Sequence, residues 1–101
     1  MKMLMQVRFP VGPFNAAVRD GSAGPKIQRI LEALKPEAAY FTSHTGRRGG
    51  TLVVTVNEAS DIPRLAEPFF LTFDAEVEFE AFMTPEDLAR GGLDALGKEW
   101  G

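Results

Sequence analysis

The 101-residue chain contains no cysteine, one histidine, one tyrosine and one tryptophan. Without cysteine there are no disulfides, no thiolate metal sites and no cysteine nucleophile. No stretch approaches the roughly 18 consecutive apolar residues of a membrane-spanning helix. The segment Met1-Lys2-Met3-Leu4-Met5-Gln6-Val7-Arg8 is too short and too interrupted for an export signal. A basic surplus is also missing: 11 Lys and Arg face 14 Asp and Glu, a net charge of −3, with a pI near 5.1. That balance argues against a general nucleic-acid binder, which needs a positive stripe to displace counterions. It argues equally against docking on anionic membranes. The expectation is a cytoplasmic protein with neither nucleic acid nor membrane as partner. Internal repeats and low-complexity stretches are absent too.

What is present suits one folded domain over residues 1–101. Hydrophobic residues make up 45% and charged residues 25%, which places the chain among ordinary globular domains. Such a chain buries roughly 65% of its unfolded surface, enough for one modest core.

The alternation Met3, Met5, Val7, Phe9 against Leu4, Gln6, Arg8 predicts a first strand. Pro10, Gly12 and Pro13 end it, and Phe14–Asp20 follows as a short helix with Pro13 at its first position. Pro25 opens a clearer helix, with Ile27, Ile30, Leu31 and Leu34 on one stripe, and Pro36 stops it at Lys35. Ala38–Thr45 reads as a second strand, Gly46–Gly50 as a hairpin loop, and Thr51–Val56 as a β-branched third strand. A helix capped by Ser60 or Asp61 is expected to reach Glu67 and then turn irregular at Pro68. Asp74–Phe82 alternates as a fourth strand. Thr84-Pro85-Glu86-Asp87 is a strong helix start, Gly91-Gly92 a stop, and Leu93–Gly101 a short helical tail.

Strand, helix, strand, strand, helix, strand is the ferredoxin-like order: an α+β domain with a four-stranded antiparallel sheet, both helices on one face, and an extra C-terminal helix. In that layout the first strand lies between the third and fourth. The helices cover Met3, Met5, Val7, Phe9, Val77 and Phe79. The other face then carries Leu4, Gln6, Arg8, Thr51, Val53, Thr55, Glu76, Glu78, Glu80 and Phe82, a mixture of apolar and charged side chains. Pairing with a second copy would account for that mixture, so a homodimer is expected.

The same order of elements resembles the dimeric α/β-barrel superfamily, whose subunits pair their open sheet faces. Pro36-Glu37-Ala38-Ala39-Tyr40-Phe41, Ala66-Glu67-Pro68-Phe69-Phe70 and Ala75-Glu76-Val77-Glu78-Phe79 look more closely like a family of small uncharacterised bacterial proteins within it. The resemblance runs to about Leu88, and its motifs mark the scaffold. The superfamily includes cofactor-free monooxygenases, muconolactone-isomerase-like enzymes, haem proteins and ligand-binding regulators, so the resemblance implies a fold rather than a reaction.

Glu76, Glu78 and Glu80 at period two share one face. Carboxylates about 7 Å apart repel by about 2 kcal/mol at an effective dielectric of 20, so enclosure in a dimer would raise at least one pKa. Glu78 and His44 are therefore the candidate proton-transfer groups. Arg8, Tyr40, Glu76 and Glu80 are candidate ligand contacts, with Arg8 a natural partner for one of the acids. The bland reading of the acids is a solvated face, and of His44 a surface residue beside a loop. A lone histidine lacks a second nitrogen ligand, so no metal is expected, and nothing supports a haem or other cofactor. Arg47 and Arg48 are either a bidentate anion grip or a solvated hairpin tip. Tyr40, Thr42 and Ser43 are possible hydrogen-bonding groups, but no hydrolase triad can be assembled. Phe69, Phe70 and Phe73 are expected in the core, and Trp100 either anchors the tail or shares its disorder.

The reading that asks least of these residues is a homodimer binding a small molecule, either between helices and sheet or inside the dimer barrel. A cofactor-free enzyme, monooxygenase- or isomerase-like, using a buried Glu is the first alternative. A dimeric interaction module without catalysis is the second.

Overall fold

A computed structural model describes all residues 1–101. Its elements are β1 (Lys2–Arg8), α1 (Val11–Arg19), α2 (Ala23–Leu34), β2 (Ala38–His44), β3 (Arg47–Thr55), α3 (Asp61–Phe73), β4 (Glu76–Ala81), α4 (Pro85–Arg90) and α5 (Leu93–Trp100). The strands form one antiparallel sheet in the order β2-β3-β1-β4, with β1 between β3 and β4 as expected of the ferredoxin-like layout.

Registry assigns the faces. Residues paired across antiparallel strands point to the same side. Ala39, Leu52, Met5 and Phe79 form one row toward the helices, and Phe41, Gly50, Val7 and Val77 form the next. Helices α1, α2 and α3 close this side with Phe14, Ala17, Ile30, Leu34, Leu65, Phe69 and Phe73. Phe9 sits at the centre of an aromatic group, with ring centroids 4.6 Å from Phe14 and 5.1 Å from Phe73.

Several boundaries differ from the sequence reading. Helix α1 starts at Val11, so Pro13 is its third residue; the first turn needs no internal N–H bonds and tolerates proline there. The glycine-rich Gly46–Gly50 is not a loop. The β2–β3 connection is only Thr45-Gly46, both at positive φ (53° and 78°), a two-residue hairpin turn whose twist matches the strands it joins. Gly49 and Gly50 are strand residues chosen for space. A Cβ at Gly49 would lie 2.6 Å from the Val7 carbonyl oxygen, and one at Gly50 would lie 2.8 Å from the Phe41 ring.

Helix α3 runs unbroken through Pro68 to Phe73. An interior proline costs about 3 kcal/mol. Leu65, Phe69 and Phe73 on its inner face are almost completely buried, and full burial of each such side chain stabilises by about 1.5–3 kcal/mol. Tertiary packing thus outweighs the local penalty. Phe70 is a further correction: it lies on the outer side of α3, 38% exposed, outside the core. At the start of α3 neither Ser60 nor Asp61 caps the helix through its side chain. Asp61 Oδ2 instead accepts the backbone N–H groups of Asn57 and Glu58 at 3.0 and 3.1 Å, and the Glu58 and Asn57 bonds hold its carboxyl below the ordinary value.

After β4 the chain leaves the body. Thr84 caps α4 reciprocally with Asp87, a capping box, and α5 follows through Gly92 at φ 75°. Trp100 anchors nothing on this chain: it ends a formed helix and is 81% exposed.

Candidate functional site

The sheet face away from the helices carries three cross-strand rows. Ala38, Val53, Leu4 and Glu80 make the first; Tyr40, Thr51, Gln6 and Glu78 the second; Thr42, Gly49, Arg8 and Glu76 the third. His44 and Arg47 pair beyond them, next to the turn. The side of the sheet that holds Tyr40 and His44 is not readable from β2, because Ala-Ala-Tyr-Phe-Thr-Ser-His has no apolar alternation. Registry places both on the open face, with Arg8, Glu76, Glu78 and Glu80.

A cleft of ≈ 250 Å³ opens on this face. Arg8, His44, Arg47, Thr42, Thr51 and Gln6 supply its polar wall, with Glu80 as the one carboxylate. Its floor exists because Gly49 presents no side chain between Arg8 and Thr42. Of the six sequence-derived site residues, Arg8, His44 and Glu80 line the cleft, while Tyr40 is exposed in the neighbouring row. Glu76 and Glu78 stand beside the cleft as partners of its cations.

Arg47 Nη2 donates to Glu76 Oε2 at 2.7 Å, and Arg8 Nη1 lies 3.6 Å from Glu78 Oε1. The Arg47 hydrogen bond and charge, with a smaller contribution from Arg8, hold the Glu76 carboxyl below its ordinary value. Each guanidinium has five N–H donors, so these pairings leave most of the donors of both arginines available. Thr51 Oγ1 donates to Gln6 Oε1 at 2.6 Å, which orients that amide.

The two arginines do not act together. Arg47 points to the open face; Arg48, one residue on, points to the helix side. There its Nη1 donates to Asn15 Oδ1 at 2.7 Å and its guanidinium lies 5.1 Å from the Phe14 ring centroid. A paired anion grip at this hairpin is therefore ruled out. The sequence reading gives Gln6 no site role and Arg47 only one shared with Arg48 at the hairpin tip. The signal was available: Arg47, Gly49, Thr51 and Val53 continue one period-two face backward through the glycines, once those glycines are read as strand.

No group of three or more His, Cys, Asp or Glu side chains is arranged to hold a metal ion. No helix is long and apolar enough to cross a membrane.

No protein-family model matches the chain, and no curated protein does. Among solved structures it is similar to 5-chloro-2-hydroxyhydroquinone dehydrochlorinase (TftG) from Burkholderia phenoliruptrix AC1100, solved in complex with 2,5-dihydroxybenzoquinone. The TM-score is 0.59 at 17% identity, over 85% of this chain and 97% of that one. At that identity the likeness establishes a shared fold: a small α+β domain built on a four-stranded antiparallel sheet.

Proposed function

We propose that this chain is a homodimeric small-molecule-binding protein whose ligand occupies the open-face cleft. The observation that carries the reading is the cleft wall itself. Two guanidiniums, an imidazole, two hydroxyls and an amide converge on ≈ 250 Å³ against one carboxylate. That donor-rich lining suits a small, acceptor-rich molecule, held by charge-assisted bonds from Arg8 and Arg47. Leu4, Val53 and Ala38 beside the cleft, all half-buried with no helix over them, are the apolar surface that a second copy would cover. The similar dehydrochlorinase, solved with a hydroxylated quinone, supports a ligand of this size on such a scaffold.

A second reading, a cofactor-free enzyme, is favoured by His44 in the cleft wall, where a bound molecule would meet an imidazole able to donate or accept a proton. Glu78 is exposed and paired with Arg8 in a single chain; its use as a buried acid or base needs the second copy as cover.

Native mass spectrometry of the full chain with 2,5-dihydroxybenzoquinone added as probe tests the binding. The expected result is a dimer carrying the small molecule, with that mass lost from an Arg8→Ala, Arg47→Ala double variant. A monomer, or equal retention by the double variant, contradicts the proposal.

A further inference from the structure

The segment after β4 is an arm. The molecule measures 59 × 28 × 19 Å with a radius of gyration of 17.1 Å, where a compact chain of this length has about 13 Å. No residue of α4 or α5 is buried. Beyond the helical ladders, every hydrogen bond of the arm stays inside it.

An arm held out in water would be polar, and this one is not. Leu93, Leu96 and Trp100 fall at i, i+3 and i+7 on one face of α5, and Leu88 and Met83 precede them. All five are exposed, Trp100 most of all. Off that stripe, residues 82–101 carry four acidic and two basic side chains, a net charge of −2.

The complementary surface lies on the helix layer of the body. A groove of ≈ 700 Å³ runs between α2 and α3. Its apolar lining includes Ile30, Pro63 and Leu71, the last 80% exposed. Lys26, Arg29 and Arg64 stand along it against Glu67 alone, so the groove is basic where the arm is acidic.

We propose that the arm docks through its Leu93–Leu96–Trp100 face into the α2–α3 groove of a second copy of this chain. An amphipathic helix laid into an apolar groove is a recurrent recognition mode, and the charges set its orientation and exclude the acidic sheet edge of Glu76, Glu78 and Glu80 as a seat. The arm stands clear of its own body, as the 59 Å long dimension of the molecule shows, so its apolar face is open to a neighbouring copy. The inference rests on the homodimeric reading above but not on the cleft or its ligand.

Trp100, the sole tryptophan, is a built-in probe. Acrylamide quenching of the full chain is followed over a dilution series, with the oligomeric state read by sedimentation in the same samples. The expected result is several-fold weaker quenching and a blue-shifted emission in the dimer, both lost on dilution to monomer. An Arg29→Glu, Arg64→Glu variant alters two exposed side chains outside the core, and is expected to return Trp100 to full quenching; circular dichroism confirms its fold. A dimer with fully quenchable Trp100 overturns the arm proposal and leaves the homodimer standing. A monomer with exposed Trp100 at all concentrations overturns both. A monomer with shielded Trp100 shows the arm folded on its own body and overturns the proposal. A charge-reversed dimer that keeps Trp100 shielded overturns the groove as its seat.

Discussion

The two faces of one sheet are built from the same four strands and obey different rules. Toward the helices, Met5, Val7, Leu52 and Val54 are almost completely buried and no polar or charged residue is. On the open side, adjacent positions along the same strands are Leu4, Gln6, Arg8, Thr51 and Val53, half-buried and chemically mixed. The first face is specified by volume and tolerates no change of size. The second carries matched charges and a small void, features that contribute little to folding and become intelligible only with something placed against them.

The largest expected effects fall on the helix face. Phe69→Ala removes a completely buried ring and should cost about 3–5 kcal/mol, a large part of the 5–15 kcal/mol typical of a domain. Chemical denaturation measures it. An effect below about 1 kcal/mol would mean that the helix layer is looser than its packing indicates.

Gly49→Ala couples the two faces. The new Cβ meets the Val7 carbonyl oxygen, which is backbone and has little room to yield, so destabilisation of about 1–3 kcal/mol is expected from overpacking. The methyl also fills the cleft floor, so ligand binding should fall further than stability does. Parallel denaturation and binding titrations separate the two losses.

On the open face alone, Arg47→Ala should leave the melting temperature nearly unchanged, because Arg47 and Glu76 meet at the solvent-exposed surface. Binding in the cleft should weaken markedly. A large drop in melting temperature would show that the open face contributes to folding, against the contrast drawn above.

The smallest effect is a pH dependence. Folding lowers the Glu76 pKa, so its pairing with Arg47 stabilises the fold above the ordinary glutamate value and is lost as pH falls through that value to the lowered one. Wild-type and Glu76→Gln melting curves should therefore differ at pH 7 and converge on acidification below about 4.3. Divergence at low pH would reverse the sign and contradict the pairing.

Much of this architecture is legible in the sequence, because β1 and β4 alternate cleanly and only one face of each is apolar. Their alternation suffices to place Arg8 beside the glutamates. The rest was hidden for identifiable physical reasons. Strand β2 lacks alternation, so only its hydrogen-bonded registry with β3 orients Tyr40 and His44. Glycines at 49 and 50 read locally as a turn, whereas a close Val7 carbonyl and the Phe41 ring require them inside a strand. Pro68 reads as a break, yet the burial of Phe69 and Phe73 carries the helix across it. The separation of Arg47 from Arg48 follows directly from extending β3 by those few residues.

Sedimentation velocity of the wild type beside a Val53→Arg variant tests most directly whether the open face is made to be covered. Val53 lies between Leu4 and Ala38 on that face, away from the helices, so the substitution leaves the core intact. The predicted result is a wild-type dimer at micromolar concentration, twice the 11.1 kDa chain mass, and a folded monomer for the variant. A wild-type monomer, or a variant that dimerises as well as the wild type, would contradict the account.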